Sequence, residues 1–215
     1  GTGIKDAETR SNRNAFDEGS LKVYWIPSVN AAPTLDLIEI VCPQDPETDL
    51  IPGEKSTILN CESAEVVTPD GTLQFRITRN FASSDPWQQL ELNIENLEQS
   101  NVSGALAYRL DLGSDENTEI EMTSDGDLNL ESADSWFITS DGGQRTDPVL
   151  LHYTGYETGQ KITRGSEANG DKIWVKTPLQ VNVGTPITKR YLEGVIDSPR
   201  GQTSDSIVVA MKAAD

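Results

Sequence analysis

Runs in which hydrophobic and polar residues alternate recur along the chain, and each of them predicts a β-strand. Thr72–Arg79 is the clearest, because apolar residues at every second position would face one side of a sheet. The preceding run Pro69-Asp70-Gly71 is typical of a tight turn, since Pro presets one backbone angle and Gly supplies a positive φ. Ala64–Val67 lies on the other side of this turn, so the region predicts a hairpin.

Further strand-like segments follow at short intervals, separated by stretches rich in Gly, Asn, Asp and Ser. Leu90–Ile94 alternates like a strand, but its apolar residues also fit the spacing of a helix; we prefer the strand. Many short strands with such separators are typical of an antiparallel sandwich or barrel. The other predicted strands are Leu21–Ile26, Leu35–Cys42, Thr57–Cys61, Ala105–Leu112, Ile120–Met122, Trp136–Thr139, Val149–Tyr153, Lys172–Lys176, Leu179–Val183, Tyr191–Ile196 and Ser206–Lys212.

These strands predict an all-β fold, an antiparallel β-sandwich of the Ig-like or jelly-roll type with an N-terminal extension. Residues 1–20 are polar and of mixed charge, so they cannot contribute to a core and are predicted to form an N-terminal arm. Residues 21–215 are predicted to form a single domain, because no linker rich in Pro or Ser divides them.

The chain is strongly acidic. Among its 215 residues, 17 Lys and Arg stand against 35 Asp and Glu, which gives a formal net charge of −18. Nucleic acids and anionic membrane surfaces would repel such a chain, so neither is expected as a partner. No apolar run approaches the roughly 20 residues of a membrane-spanning helix, so no membrane span is predicted.

The two cysteines, Cys42 and Cys61, each end an apolar strand-like run. The stretch between them contains three Pro and one Gly and must turn back, which would bring the two strand ends together. We predict a disulfide, whose closed loop would contribute about 3 kcal/mol; two free buried thiols are the alternative. A disulfide implies an oxidising compartment, and we therefore expect a secreted or cell-surface protein.

Few residues are available for catalysis. A Ser-His-Asp or Cys-His arrangement would have to use His152, because it is the only histidine. If its neighbours Leu151 and Tyr153 point inward, His152 is a solvent-facing strand residue, and we expect that position. Neither a nucleophile elbow nor a phosphate-binding loop occurs in the sequence. We predict that the protein is not an enzyme, with an acidic hydrolase as the least favoured class.

No metal or cofactor site is predicted with the spacing that a known motif requires. The run that begins at Asp125 opens like an EF-hand loop, but Leu130 and Trp136 occupy the positions that need Gly and Glu. Neither cysteine belongs to a C-x-x-C pair. A looser calcium site remains open as an alternative to acidic surface turns; its ligands would come from Asp115, Glu116, Asp125 and Asp127.

Two surface features suggest contacts with other molecules. Asn101-Val102-Ser103 is a glycosylation sequon, so Asn101 is a candidate attachment site. Lys172, Trp174 and Lys176 would share one face of a strand, where Trp174 could stack on a sugar or on a neighbouring subunit. Burial of Trp174 under a loop is the alternative.

Two short motifs resemble those of the spore coat protein U family, which includes pilins of archaic chaperone–usher pili. Ala105-Leu106-Ala107-Tyr108-Arg109-Leu110 is similar to the strand that leads the second half of those domains. The segment 201–210, Gly-Gln-Thr-Ser-Asp-Ser-Ile-Val-Val-Ala, is similar to their closing strand. The resemblance implies an incomplete sandwich that borrows a strand from a neighbour, a logic that TasA-like fibre proteins share.

The function expected from these features is that of a structural subunit of an extracellular filament or pilus. Leu21, Val23 and Trp25 share one face at period two and would fill a groove in the next copy, so that identical subunits form a homopolymer. A secretion chaperone would be a further partner. An ordinary first strand within its own sheet is the alternative for Leu21–Ile26, and a secreted carbohydrate-binding or adhesive module is the alternative function.

Overall fold

The computed structural model describes residues 21–31, 37–40, 47–49, 56–82, 87–111, 118–140, 142, 149–155, 157–164 and 172–196. All regular structure in these ranges is β-strand. The strands are β1 Leu21–Ile26, β2 Ile38–Glu39, β3 Glu47–Asp49, β4 Ser56–Thr68, β5 Gly71–Ala82, β6 Trp87–Asn96, β7 Val102–Asp111, β8 Glu119–Thr123, β9 Trp136–Ser140, β10 Val149–Tyr153, β11 Lys161–Arg164, β12 Lys172–Val181 and β13 Ile187–Ile196.

The strands form two antiparallel sheets that pack face to face, which confirms the predicted all-β sandwich. The five-stranded sheet has the order β11-β12-β7-β1-β2, and the eight-stranded sheet has the order β3-β4-β5-β6-β13-β10-β9-β8. No helix in the described part of the chain is long and apolar enough to cross a membrane.

Large side chains from both sheets meet in the central core. Trp25 of β1 contacts Phe75 of β5 edge-on, with ring centroids 6.3 Å apart. Tyr108 of β7 stacks on Tyr191 of β13 at 5.4 Å. Burial of each such side chain stabilises the fold by about 1.5–3 kcal/mol, so these contacts hold the two sheets together.

The outer face of each sheet carries an apolar cluster of its own. Trp136, Ile138, Leu151 and Leu192 are buried on the outer face of the eight-stranded sheet. Tyr24, Ile26, Ala105, Ala107 and Trp174 are buried on the outer face of the five-stranded sheet. Several strands are therefore buried on both faces, which is why β9 and β12 show almost no alternation of burial.

Most of the predicted strands occur where the sequence pattern placed them. The hairpin is present, and Gly71 at its turn has a φ of +149°, which favours Gly. Leu90–Ile94 lies within β6, which pairs with β5 and β13, so the strand prediction is confirmed. Lys172–Lys176 and Leu179–Val183 were predicted as two strands, but they largely belong to the single strand β12.

Pro178 explains why β12 resembled two strands in sequence. Pro lacks the N–H that a central strand must donate. Pro178 pairs with Ala105 of β7 on one side, but β11 ends its pairing with β12 at Lys176. Pro178 therefore has a strand partner on one side only, and the strand continues through it.

The sequence pattern did not predict two short strands, and some other predictions concern residues outside the described ranges. β11 contains one buried residue, Ile162, and β3 contains no apolar residue, so neither alternates. The N-terminal arm 1–20, half of Leu35–Cys42 and all of Ser206–Lys212 lie outside the described part of the chain. These predictions, and that of a single domain, stay predictions.

Candidate functional site

The first strand is held mainly by one neighbour. All six residues of β1 pair with β7, from Leu21 opposite Leu110 to Ile26 opposite Ala105. Within the described residues, its other side pairs with β2 through Tyr24 and Trp25, with one further hydrogen bond from the Ile40 N–H to the Val23 carbonyl at 2.9 Å. In this part of the chain, β7 is thus the longer pairing partner of β1.

The side chains of β1 alternate between the core and the outer face, as predicted. Val23 and Trp25 point into the core and are 0% and 2% exposed. Tyr24 and Ile26 point to the outer face and are also buried. Of Leu21, only the backbone pairing is described. The strand therefore supplies buried residues to both faces of its sheet.

Strand β7 offers small residues where β1 presents large ones. A Cβ atom on Gly104 would lie 2.5 Å from Cζ2 of Trp25 and 2.8 Å from the Ile26 carbonyl oxygen, so only Gly fits there. Ala105 and Ala107 lie in the outer cluster with Tyr24 and Ile26. This match of small and large residues forms a groove beside β7 that accommodates β1.

In this arrangement β1 completes its own sheet, the alternative that the sequence left open. Exchange of β1 between copies stays a prediction. The chain continues from Ile26 into a turn at residues 27–31, closed by the Ala31 N–H donating to the Ser28 carbonyl at 3.0 Å.

The outer cluster beside β1 contains Trp174, which is only 1% exposed. It contacts Tyr24 with ring centroids 5.4 Å apart. Its indole Nε1 is buried and has no hydrogen-bond partner in the described part of the chain. Stacking of Trp174 on a sugar would therefore require the residues above it to move.

Two lysines adjoin Trp174 on this outer face. Lys176 follows it by two residues on β12 and is 5% exposed, and its Nζ donates to the Ala31 carbonyl at 3.0 Å. Lys161 lies directly opposite Lys176 on β11, is exposed, and donates from Nζ to Oδ1 of Asn30. Burial, and secondarily the charge of Lys161, lower the pKa of Lys176.

The expectation that His152 faces solvent is wrong. His152 is 0% exposed and points into the core, where its ring stacks on Phe137 at 4.9 Å. Its Nδ1 lies 3.0 Å from the Tyr191 hydroxyl, and its Nε2 lies 3.4 Å from Oγ1 of Thr139. The prediction failed because Leu151 is buried as well, on the outer face of the same strand.

Further titratable groups surround His152. Glu193, its cross-strand neighbour, is also 0% exposed, with Oε1 3.8 Å from Nδ1 of His152. Burial lowers the pKa of His152 to about 3. Burial also raises the pKa values of Tyr191 and Tyr108, with smaller contributions from Glu193 and Glu157 respectively. The imidazole is thus neutral at pH 7, and its complete burial keeps any substrate from reaching it in this state.

The acidic turn after β8 is stabilised by hydrogen bonds within the turn. The Thr123 hydroxyl donates to Oδ1 of Asp125 at 2.7 Å, and this bond lowers the pKa of Asp125. The Asn129 N–H donates to Oδ1 of Asp127 at 2.7 Å. Asp115 and Glu116 lie outside the described residues. The described residues include no group of three potential metal ligands, so the calcium site stays an untested alternative.

The remaining predicted sites are only partly described. Asn101 is exposed just before β7, and its Oδ1 accepts a hydrogen bond from the Val183 N–H at 3.3 Å. Glycosylation there stays a prediction. Cys61 lies on β4, but Cys42 lies outside the described residues, so the disulfide also stays a prediction.

Sequence reasoning missed Gly104, the Lys161–Lys176 pair and the inward position of His152. Gly104 had a signal in sequence, since a small residue in the middle of a strand often marks a close backbone approach. The lysine pair had no such signal, because Lys161 and Lys176 are 15 positions apart in sequence and only the pairing of β11 with β12 brings them together.

Comparisons with known proteins identify no relative. No family model and no curated protein matches the chain. Three solved structures align at low identity. A protein described as a kojibiose phosphorylase from the human microbiome has 12% identity and a TM-score of 0.44, over 74% of this chain and 21% of that one. A galactose mutarotase related enzyme from Lactobacillus acidophilus has 7% identity and a TM-score of 0.44, over 75% and 74% of the two chains, and a 4-alpha-glucanotransferase from Thermococcus litoralis has 8% identity and a TM-score of 0.45, over 82% and 27%. The chain thus spans about a fifth of the first of these. At such TM-scores the likeness carries no argument about function.

Proposed function

We propose that the protein is a structural subunit of an extracellular filament in which β1 of each copy completes the five-stranded sheet of the next. The observation that carries this proposal is the groove beside β7. Gly104 leaves space that Trp25 fills, and among the described residues β1 pairs along its whole length with β7 but with β2 only through Tyr24 and Trp25. An N-terminal strand with these properties is suited to exchange between copies.

Exchange would preserve the contacts that β1 already makes. Val23 and Trp25 would fill the same core positions in the neighbouring copy, so the exchanged and closed states would differ mainly in the segment after Ile26 and in chain entropy. Protein concentration would decide between the two states. Exchange from each copy to the next does not close on itself, and it therefore produces a fibre. A secretion chaperone would occupy the groove before assembly.

Cysteine cross-linking tests the exchange directly. Tyr24 and Ala107 are directly opposed in the pairing of β1 with β7 and both lie in the outer cluster, so cysteines at these positions are within disulfide range. One chain would carry Tyr24→Cys and a second Ala107→Cys, both with Cys42→Ser and Cys61→Ser. After mixing, concentration and oxidation, exchange predicts a disulfide between the two chains. A chain with both substitutions, oxidised when dilute, is the control for closed β1.

The proposal also predicts fibres by negative-stain microscopy, and their loss when β1 is locked in its own sheet by the internal disulfide. If fibres form and persist in the locked chain, the exchange of β1 is wrong. If concentrated chains stay monomeric and never cross-link, the filament function is wrong as well.

The carbohydrate-binding alternative has less support. Among the residues whose side-chain burial the structure describes, the exposed large hydrophobic side chains are Val67, Leu97, Leu128 and Val183, and none of them is aromatic. Sugar-binding sites commonly present an open aromatic ring for stacking. Trp174, the residue that suggested such a site, is buried.

A further inference from the structure

Two ammonium groups lie side by side on the outer face of the five-stranded sheet. Lys161 and Lys176 are direct cross-strand partners, a placement in which like charges destabilise a sheet. The chain has 35 acidic residues, yet within the described ranges neither ammonium has a carboxylate at ion-pair distance, whereas Lys189 and Arg190 each pair with a glutamate. Among the described residues, this cation pair therefore lacks a counter-charge.

The buried member of the pair is incompletely satisfied. The Lys176 ammonium has three N–H donors, and its one hydrogen-bond partner in the described residues is the Ala31 carbonyl. Buried charges are normally paired, because an isolated charge loses its hydration on burial. Lys176 is only 5% exposed, so a nearby anion would stabilise it strongly.

A second unsatisfied donor lies on the same face of β12. The Nε1 of Trp174, two residues before Lys176, is buried without an acceptor among the described residues. Such a donor is unfavourable, because burial removes its hydrogen bond to water and nothing replaces it. Within the described residues, this face thus carries a charge without a counter-ion and an N–H without an acceptor. An anionic oxygen would satisfy both.

We infer that Lys161, Lys176 and the indole N–H of Trp174 form a carboxylate-binding site, and that an acidic side chain of a second copy of this chain occupies it. Lys161 is exposed on the edge strand β11 and provides access from solvent. A carboxylate that enters beside Lys161 would reach Nε1 of Trp174 only after the residues that cover this indole move. A carboxylate would separate the two like charges and supply the missing acceptors.

Charge complementarity favours a second copy as the occupant. At a net charge of −18, a neighbouring copy presents many carboxylates and few cations. Glu65 and Glu95, for example, are exposed on strands of the eight-stranded sheet, whereas the lysine pair belongs to the five-stranded sheet. A contact between different surfaces of two copies is heterologous, so it adds further copies in a ring or an open assembly. This contact is separate from the exchange of β1.

Self-association of a chain that cannot exchange β1 tests the site. A chain locked by an internal disulfide between Leu21→Cys and Leu110→Cys, with Cys42→Ser and Cys61→Ser, would be studied by sedimentation velocity at low salt. These two positions are also directly opposed in the pairing of β1 with β7, and this lock leaves Tyr24 beside Trp174 and Ala107 opposite Lys176 unchanged. We expect Lys161→Gln to weaken its association about tenfold, as for the loss of a charged hydrogen bond. Arg76→Gln removes one exposed positive charge from the eight-stranded sheet and is the matched control; it should leave association unchanged or strengthen it slightly.

The indole resonance of Trp174 provides a second readout on the same chain. Its N–H signal, assigned with Trp174→Phe, should shift as the protein concentration rises, and Lys161→Gln should suppress the shift. Equal association of the Lys161→Gln and Arg76→Gln chains would overturn the proposal. If sodium acetate shifts the signal in dilute protein and association does not depend on Lys161, the site binds a carboxylate but a second copy does not occupy it. That outcome would overturn the second copy as the occupant.

Since the locked chain cannot exchange β1, this test does not depend on the filament mechanism. Failure of the cross-linking experiment would disprove exchange and leave the carboxylate site standing. Failure of the Lys161→Gln comparison would disprove the site and leave exchange standing.

Discussion

At the scale of single residues, Gly104 and Trp25 are packed closely at the contact between β7 and β1. The indole lies where a Cβ on residue 104 would be, and the Ile26 carbonyl is nearly as close. Neither group can move far, because Trp25 is buried in the core and Ile26 is paired with Ala105. A single methyl group added at position 104 would therefore disturb the packing of β1 against β7.

We therefore expect Gly104→Ala to lower the free energy of unfolding by about 1–3 kcal/mol, the usual cost of overpacking a core. Ser103→Ala, at the exposed neighbouring position, should change it by less than about 0.5 kcal/mol. Urea denaturation measures both variants. Equal stability of the two variants would mean that β1 does not pack against Gly104 as described.

His152 gives the protein a pH dependence that a solvent-facing histidine would not. Its folded-state pKa is about 3, whereas an unfolded chain binds the proton near 6.5. As the pH falls from 6.5 towards 3, the unfolded state binds more protons than the folded state. Stability is therefore lost with falling pH in this window and is fully present above about 6.5.

Between pH 7 and pH 5 we expect a loss of about 2 kcal/mol in the free energy of unfolding. His152 is the only histidine, so His152→Gln should remove most of this dependence, even if it lowers stability at both pH values. Denaturant titrations at the two pH values measure the difference. A slope that persists in the variant would assign the effect to other groups.

At the scale of elements, removal of β1 would expose the groove beside β7. Without it, β7 would have an unpaired edge, and the core would lose Val23 and Trp25. Loss of one buried Trp side chain alone costs about 3–5 kcal/mol. A chain without β1 should therefore fold poorly by itself.

A chain that lacks residues 1–26 should accordingly regain its fold when a synthetic peptide with residues 18–31 is added. Trp25→Asp in the peptide should abolish this rescue, because the charge would be buried beside Gly104. Far-ultraviolet circular dichroism and thermal melts follow the recovery. A truncated chain that folds fully without peptide would show that β1 is dispensable, contrary to the filament proposal.

At the scale of the whole molecule, a net charge of −18 creates self-repulsion that favours expansion. Salt screens this repulsion, since the Debye length falls from about 30 Å at 0.01 M to about 3 Å at 1 M. The like-charged Lys161–Lys176 pair would benefit from screening as well. The native state should therefore be more stable at high salt.

We expect the Tm to rise by several degrees between low salt and 0.5 M NaCl, at about 2–4 °C for each kcal/mol of repulsion that is screened. Differential scanning calorimetry measures this rise. The double variant Glu65→Gln and Glu95→Gln lowers the net negative charge and should show a smaller response. A Tm that falls with added salt would mean that attractive ion pairs dominate the electrostatics.

Local sequence determined the strands and the layer architecture of this protein. The alternation in Thr72–Arg79, the turn at Pro69-Asp70-Gly71 and the period of two in Leu21–Ile26 depend on neighbouring residues only, and the structure confirms them. Overall charge is also a property of sequence alone. These features were predictable because backbone geometry makes each residue's face follow from its position in a strand.

Only the tertiary structure decided which faces are covered and which distant residues meet. His152 was misplaced because both faces of β10 are buried, so alternation no longer separates inside from outside. The cation pair of Lys161 and Lys176, and the space that Gly104 leaves for Trp25, follow from strand pairings. Such pairings depend on the packing of the whole sandwich, and no local pattern encodes them.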